Sequence, residues 1–363
     1  MLIDGKKYKI NKDTIAISEW DKIYCELLKQ VINEGEEKPN RTGIDTISDE
    51  GIYFKLNVGE AFPILETKKV NIKNALSEML WIYQAQSNDV NWLKERNNPI
   101  WNEWEIGADG YWRAVQMVPD ENGKLVKKKI EKYFGKEYAG TIGTAYGWIN
   151  AKFKRPQYVL EQLKNNPNDR RMVISLWQDE YLKTAVLPSC VWSSEWKVKN
   201  GKLNVFVHQR SCDIPLGLPF NVSQYAILLS LFAKVSNLEV GNLNWSIMDA
   251  HIYKNQLEGI KLQLKRYDKM LHWEKFIKDH SLSEIEIMYN FLNHKLNSNE
   301  DNIDKEDVTE DMNILKFLLT KEKPILALAD KDDFFAFDNS EDNKDIKVLN
   351  YSSLPFIKMP IAK

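Results

Sequence analysis

The sequence predicts an α+β fold of the α/β two-layer type, in which helices pack against a sheet. Two observations support this prediction. Apolar positions recur at helical spacing in several segments, and the middle of the chain alternates as strands do and contains a hairpin signal. With 363 residues, 43% apolar and 28% charged, the chain has the composition of a soluble globular protein and the length for one elaborated domain or for two.

In chain order, the first elements are two amphipathic helices with a strand between them. Residues 14–32 and 71–86 place apolar side chains at intervals of three and four, which predicts a helix with one buried face in each segment. IYFKLN at 52–57 alternates strictly and predicts a strand. Residues 105–140 are rich in Gly and Lys, and they predict an exposed, charged insertion.

The middle of the chain predicts sheet. RMVISLW at 171–177 is β-rich, and VWSSEWKV and KLNVFVHQ are joined through Asn200-Gly201. Asn-Gly suits the positive φ angles of a tight turn, so these two segments predict a hairpin. Counting outward from the turn places Cys190 and Arg210 at the same end of neighbouring strands.

The later segments predict helices. Residues 222–235 are apolar on almost all sides, which predicts a helix that is buried on most of its surface. Residues 268–323 predict a second, helical and charge-rich insertion. Within it, residues 297–311 carry seven acids and one Lys, and we expect this acidic stretch to be a loop between two helices.

Composition and motif counts disfavour several functions. A net charge of −2 gives no overall positive potential to attract a phosphate backbone, so we expect no nucleic-acid partner. Three scattered cysteines, a start without a signal peptide and no apolar run of about 20 residues predict a cytoplasmic protein without a membrane span. Five histidines without an HxxxH pair predict no metal site, and GxGxxG, GxxxxGK[ST] and GxSxG are all missing.

Polar residues are densest in the segment 187–225. A guanidinium beside a thiol favours the thiolate, so Arg210 next to Cys190 indicates a nucleophile. The alternative is a buried structural cysteine, which is the usual role of a lone Cys. The Gln, Ser and Asp residues that flank Arg210 favour the nucleophile.

These segments resemble the thymidylate synthase family. The resemblance covers residues 20–105, 140–267 and 325–362, and it implies a large mixed sheet in a single catalytic domain over 1–363, with insertions at 105–140 and 268–323. The matching segments are LPSCVW around Cys190, QRSCDIPLGLPFN at 209–221, RTGIDT at 41–46, PILETKKV and SEMLW within 63–81, IWNEW at 100–104, TAYG at 144–147, DRR at 169–171, DAHIY at 249–253 and the terminal LPFIKMPIA.

The resemblance implies reductive methylation of dUMP to dTMP. The co-substrate is 5,10-methylenetetrahydrofolate, which becomes dihydrofolate, and Cys190 adds to carbon 6 of uracil. By the same resemblance the protein is a homodimer in which Arg170 and Arg171 reach the partner's site, and it needs no metal. The implied catalytic residues are Cys190, Glu78, Tyr146, Arg210 and Asn221. The implied dUMP contacts are Arg41, Arg170, Arg171, Gln209, Arg210, Ser211, Asp213, Asn221, His251 and Tyr253. The implied folate contacts are Trp101, Trp104, Asp213, Leu216, Gly217 and Ala362.

Two of these residues have a clear chemical rationale. The amide of Asn221 offers a donor to oxygen 4 of uracil and an acceptor to the proton on nitrogen 3, whereas an Asp would suit cytosine. Without the surrounding motif, a helix N-cap would be the simpler role for this Asn. Glu78 lies in an apolar helical stretch, where desolvation would raise its pKa into a useful range if it faces a cleft.

The sequence departs from the family pattern at three positions and leaves two alternatives open. Val191 stands where the family usually has His, Ser189 replaces a usual Pro, and Lys363 extends past the apolar terminus. The first alternative is a dUMP or dCMP hydroxymethylase, in which water rather than hydride quenches the one-carbon adduct. The second is an inactive family member that acts as a binding protein, for example for RNA.

Overall fold

The computed structural model describes residues 2–3, 6–7, 15–40, 42–121, 125–298, 304–340 and 344–361. The strands are β1 Leu2–Ile3, β2 Lys6–Lys7, β3 Glu36–Lys38, β4 Thr46–Asn57, β5 Tyr111–Pro119, β6 Leu125–Tyr133, β7 Val173–Ser175, β8 Val191–Lys199, β9 Lys202–Asp213, β10 Glu239–Tyr253, β11 Ile325–Leu328 and β12 Ile346–Leu349. The helices are α1 Glu19–Glu34, α2 Ile72–Tyr83, α3 Val90–Lys94, α4 Gly147–Phe153, α5 Arg155–Asn165, α6 Gly217–Val235, α7 Leu257–Asp279, α8 Leu282–Asn297 and α9 Lys305–Thr320.

A six-stranded mixed sheet forms the centre of the fold. Its strand order is β3-β4-β10-β9-β8-β7. Strands β9 and β10 run parallel, and every other neighbouring pair in this sheet is antiparallel. The predicted α+β fold with a large mixed sheet is therefore confirmed.

The predicted hairpin joins β8 to β9. Asn200 and Gly201 have φ angles of +53° and +73°, as a two-residue turn of type I′ requires. The pairing runs from Lys199 opposite Lys202 to Val191 opposite Gln209, with one irregularity between Val191 and Ser193. The hairpin therefore brings the end of β9 alongside the residue before β8, as the count from the turn predicts.

Helices α1 and α6 cover one face of the sheet. Four aromatic rings form a continuous row of contacts from α1 to α6 over this face of the sheet. Trp20 of α1 packs on Phe54, Phe54 stacks on Trp245, and Trp245 meets Tyr225 of α6 edge to face. Helix α6 begins five residues before the predicted start, at Gly217. It is long and apolar enough to cross a membrane, but it is mostly buried inside the protein, as is typical of a core helix in a globular fold.

The opposite face of the sheet leaves large apolar side chains in solvent. Tyr53 on β4, Trp192 on β8 and Met248 on β10 are 57%, 38% and 63% exposed. Side chains on this face also contact one another across β10, since the ring of Tyr53 on β4 packs against that of Phe206 on β9. An exposed apolar sheet face of this kind is typical of a surface that another protein covers.

The second insertion is helical, but the expectation of an acidic loop over 297–311 is wrong for its second half. Asp304 caps α9, so the acids that follow it lie in the first turns of that helix, where the helix dipole favours negative charge. Asp307 and Asp311 pair with Lys269 of α7 at 3.0 Å each. The first half of the acidic stretch, at residues 299–303, lies outside the described residues.

The first insertion is charged, as expected, and it forms a β-hairpin. Strands β5 and β6 pair antiparallel, from Tyr111 opposite Tyr133 to Pro119 opposite Leu125. The indole nitrogen of Trp112 donates a hydrogen bond to the carbonyl of Glu103 at 2.8 Å, which anchors the base of the hairpin beside residues 102–104.

Candidate active site

The thiol of Cys190 lies beside the guanidinium of Arg210. The hairpin places them together, since the Arg210 N–H donates to the Cys190 carbonyl at 2.9 Å. The guanidinium donates to the carbonyls of Pro188 and Ser189 at 2.8 and 3.1 Å, and one of its nitrogens lies 3.8 Å from Cys190 Sγ. The backbone thus holds a fixed positive charge next to a partly exposed thiol, and this favours the thiolate.

Tyr146 touches the same loop from the other side. Its hydroxyl accepts a hydrogen bond from the Cys190 N–H at 3.0 Å. Burial raises the pKa of Tyr146 well above its usual value, and the nearby Cys190 adds to this effect. Tyr146 has a φ of +48°, which is uncommon for a residue other than Gly. The phenol therefore stays protonated near Cys190 and retains a proton to donate.

Glu78 of α2 is held by two donors. The indole nitrogen of Trp101 donates to its Oε1 at 2.6 Å, and the amide of Gln224 donates to its Oε2. Burial raises the pKa of Glu78, while these hydrogen bonds lower it. A carboxyl group whose pKa lies above the ordinary range can exchange protons near neutral pH.

A chain of side-chain amides connects Glu78 with the end of β9. The Nε2 of Gln209 donates to Oδ1 of Asn221 at 3.2 Å, and Nδ2 of Asn221 donates to Oε1 of Gln224 at 3.1 Å. The indole nitrogen of Trp245 donates to Oε1 of Gln209 at 3.1 Å. The amide of Asn221 is thus oriented by its neighbours.

Gln224 is a residue of this network that sequence reasoning missed. It is 5% exposed, and its Nε2 also donates to the carbonyl of Ala75. Its spacing from Asn221, three residues along α6, was the available signal because such residues share a helix face.

Other predicted site residues gather at the same ends of β9 and β10. Ser211 donates to Asp249 at 3.1 Å, and His251 Nδ1 lies 3.4 Å from the same carboxylate. The nearby His251, together with hydrogen bonds from Ser48 and Ser211, holds the pKa of Asp249 at about 2. The ring of Tyr253 meets His251 edge to face at 5.2 Å.

The residues predicted to contact folate lie around α2 and the start of α6. Trp101 is buried, and Trp104 meets it edge to face at 5.4 Å. Asp213 accepts the Leu216 N–H at 3.2 Å. A methyl group added at Gly217 would meet its first neighbours only at 3.9 Å, so the backbone there is open.

The two arginines predicted to reach a partner's site lie away from Cys190. Arg170 is exposed and lines a cavity of 440 Å³ together with Trp196 and Lys197, which lie along β8 away from Cys190. Arg171 is largely exposed and pairs with Asp169 at 2.9 Å. Within one subunit the structure therefore does not bring these arginines to the thiol.

Two predicted contacts, Arg41 and Ala362, lie outside the described residues. Among the residues that the structure describes, no group of three or more His, Cys, Asp or Glu side chains is arranged to hold a metal ion. The expectation that the reaction needs no metal stays a prediction.

A family model described as thymidylate synthase matches residues 22–296. The chain belongs to the thymidylate synthase family. A thymidylate synthase of Clostridium beijerinckii is 41% identical over 250 residues, covering 69% of this chain and 83% of that protein. A thymidylate synthase of Mycoplasma mobile is 34% identical over 271 residues, covering 72% and 91%.

A solved structure extends the similarity to the fold. The thermostable thymidylate synthase A from Bacillus subtilis is 28% identical with a TM-score of 0.63, and the match covers 92% of this chain and 96% of that one. The protein is therefore a methyltransferase of dTMP biosynthesis. Membership of the thymidylate synthase family implies dUMP and a reduced folate as substrates.

Proposed function

We propose that this thymidylate synthase converts dUMP and 5,10-methylenetetrahydrofolate into dTMP and dihydrofolate through a covalent bond between Cys190 Sγ and carbon 6 of uracil. The single observation that carries the proposal is the Arg210 guanidinium fixed 3.8 Å from that sulfur by two backbone carbonyls. Carbon 5 of uracil is a poor nucleophile, and addition of a thiolate at carbon 6 turns the ring into an enolate that can attack an electrophilic carbon.

The protein's groups manage the protons of this sequence. The folate supplies the one-carbon unit and, later, the hydride that makes it a methyl group. Between these events the proton on carbon 5 leaves and the bond from the one-carbon unit to the folate nitrogen breaks, which gives an exocyclic methylene group. Hydride addition to that group then expels the thiolate from carbon 6. Tyr146 lies against the Cys190 loop, and Glu78 has a raised pKa, so these two groups are our candidates for moving protons through water at the ring.

The base and the phosphate are read by different groups. Asn221, oriented by Gln209 and Gln224, would pair with the edge of uracil. His251 and Tyr253 would hold the ribose hydroxyl, and the phosphate would lie among cationic and hydroxyl donors. These donors are Arg41, Arg210 and Ser211, with Arg170 and Arg171 supplied by the partner.

The residues on the folate side fit a pterin. Trp101 and Trp104 offer flat apolar surfaces, and Asp213 offers a carboxylate to the donors of the pterin edge. The open backbone at Gly217 would let the ring approach closely. Ala362 would complete the contact from the chain terminus.

Val191, which stands where the family usually has His, would make the site next to the nucleophile less polar. Its side chain is buried and carries no polar group, so it cannot hold water at oxygen 4 of uracil. We propose that Asn221 and Glu78 take this hydrogen-bonding role, since both belong to one connected network.

The enzyme would be cytoplasmic and would form a single domain, with residues 105–140 and 268–323 as insertions. We further propose a symmetric homodimer formed through the exposed sheet face of Tyr53, Trp192 and Met248. Arg170 lines a cavity on the sheet and is exposed, as a residue lent to a partner's site would be. Mixing inactive Cys190→Ala with inactive Arg170→Ala subunits should restore activity at one site of each hybrid. No recovery after verified subunit exchange would contradict shared sites.

The proposed reaction is tested by incubating the protein with dUMP and methylenetetrahydrofolate. We expect the absorbance rise of dihydrofolate, with dTMP as the nucleotide product. A hydroxymethylated nucleotide without dihydrofolate would indicate the hydroxymethylase instead. Binding of dUMP without any turnover would indicate a family member that acts only as a binding protein.

A further inference from the structure

Gln256 lies at the junction of β10 and α7, outside every set of site residues described so far. It is fully buried. Its Oε1 accepts the Tyr253 N–H at 3.1 Å, and because an N–H can only donate, this bond fixes which end of the amide is oxygen. Its Nε2 must therefore point the other way with two protons to donate.

Both of these protons meet acceptors. Nε2 lies 3.2 and 3.4 Å from the two carboxylate oxygens of Asp213, and 3.3 Å from the carbonyl oxygen of Pro360. One buried amide therefore joins the carboxylate proposed to hold the pterin to the end of the chain.

The chain end forms a strap over α7, which we define as residues 354–361. The Leu354 N–H donates to the Glu66 carbonyl at 2.8 Å, and Arg266 donates to the Pro355 carbonyl at 2.7 Å. Beyond Pro355, within the part of the chain that the structure describes, the bond from Gln256 is the only hydrogen bond to the strap. Ile357 and Met359 are buried against the core, whereas Ile361 is 59% exposed, so the bond from Gln256 lies where the packed part of the strap ends.

We propose that Gln256 is a positioning residue that couples closure of the strap to the orientation of Asp213. The coupling rests on the proposed function, in which Asp213 binds the folate. When the strap is seated, Pro360 holds one proton of the amide and directs the other at Asp213. When the strap leaves, the amide loses that partner, and its hold on Asp213 is no longer fixed.

The surroundings of Asp213 explain why such a donor is needed. Burial raises the pKa of Asp213, and the hydrogen bond from Gln256 is the largest effect that lowers it. The other titratable groups that face this carboxylate are Lys68, His251, Tyr24 and Cys212. Loss of the amide donor therefore raises the pKa of Asp213 and disfavours the ionised form that a pterin requires.

The test compares Gln256→Leu with a matched control, Gln263→Leu. Gln263 is also a fully buried glutamine on the same side of the fold, in α7, but its Nε2 donates to Thr67 rather than to Asp213. We expect Gln256→Leu to raise the KM for methylenetetrahydrofolate by at least about tenfold, the cost of one lost buried hydrogen bond to a charged group. The KM for dUMP should stay within about twofold, and Gln263→Leu should leave both values unchanged.

A double-mutant cycle tests the coupling itself. If Gln256 acts through the strap, its substitution should change the folate KM much less in a protein that lacks residues 360–363 than in the full chain. Fully additive effects would overturn the coupling.

Gln256→Glu provides a second variant that keeps the size of the side chain. It places a carboxyl group against Asp213, so folate binding should be weak at pH 8 and improve towards pH 6, where the two carboxyl groups can share a proton. A folate KM within about twofold of the parent in both Gln256 variants, or an equal rise in Gln263→Leu, would overturn the inference. A parent protein that makes no dTMP would instead overturn the proposed function, which the parental turnover assay reports separately.

Discussion

The uracil side and the folate side of the site are built in different ways. On the uracil side, Glu78, Gln224, Asn221 and Gln209 form one hydrogen-bonded chain on elements of the central core. On the folate side, Asp213 depends on Gln256 and on a strap whose last described residue, Ile361, is mostly in solvent.

The difference shows which half of the site is preformed. Packed helices and strands orient the uracil groups, whereas the folate groups are completed by a chain end that leaves the core after Met359 and is exposed at Ile361. Closing that end would exclude water from an intermediate that water could trap as a hydroxymethylated product. We therefore expect changes on the uracil side to alter chemistry and base choice, and changes on the folate side to alter folate binding and the purity of the product.

The largest effect should come from Cys190→Ala. We expect turnover to fall by a factor of at least about 10⁴ because the covalent step is lost. Binding of dUMP, measured by calorimetry, should survive because the phosphate and base contacts lie elsewhere. Near-normal dihydrofolate production by this variant would refute the nucleophile.

The next largest effect should come from Glu78→Gln. Loss of a positioned proton carrier should lower kcat by a factor of about 10² to 10⁴. Because burial raises the pKa of Glu78, the parent should lose activity on the acid side at a pH above the usual range of glutamate, as this group becomes protonated. A pH profile with the same acid limb in the variant would show that another group titrates.

Asn221→Asp should change the preference for dUMP over dCMP more than it changes the rate of turnover. An aspartate presents acceptors to the amino group of cytosine and loses the amide donor, so the ratio of kcat/KM for dUMP to that for dCMP should fall by at least about tenfold. Competition assays with both nucleotides measure this ratio. An equal loss for both substrates would mean that Asn221 does not read the base edge.

The smallest effect should come from removing Lys363 alone. Lys363 lies outside the described residues, and because the family pattern ends before it, turnover should change by less than about twofold. Steady-state kinetics of the shortened protein provide the measurement, with the deletion of residues 360–363 as the comparison. If the single deletion were as damaging as the longer one, Lys363 itself would take part in closure.

Short-range patterns predicted much of the fold. The Asn200-Gly201 turn set the hairpin register, and counting from it placed Cys190 beside Arg210. The acidic stretch was misjudged because its run of like charges predicts a loop, whereas Asp304 caps α9 and the acids pair with Lys269, which is distant in sequence.

The missed site residues have the same physical origin. Gln224 matters because α6 lies against α2, and Gln256 matters because the chain end returns to α7 more than 100 residues later. The spacing of Gln224 from Asn221 indicates a shared helix face, but no local pattern indicates its contact with Glu78 or the contact of Gln256 with Pro360. The dimer, the role of Arg41 and the role of Ala362 stay predictions.

The most direct test of the central claim is mass spectrometry of the protein after incubation with 5-fluoro-dUMP and methylenetetrahydrofolate. Fluorine cannot leave carbon 5 as a proton does, so the covalent complex should accumulate. We expect one adduct, on the peptide that contains Cys190. Cys25 and Cys212 serve as internal controls because burial raises the pKa of both thiols and keeps them unreactive. An active enzyme with no adduct, or with the adduct on Cys25 or Cys212, would show that Cys190 is not the nucleophile.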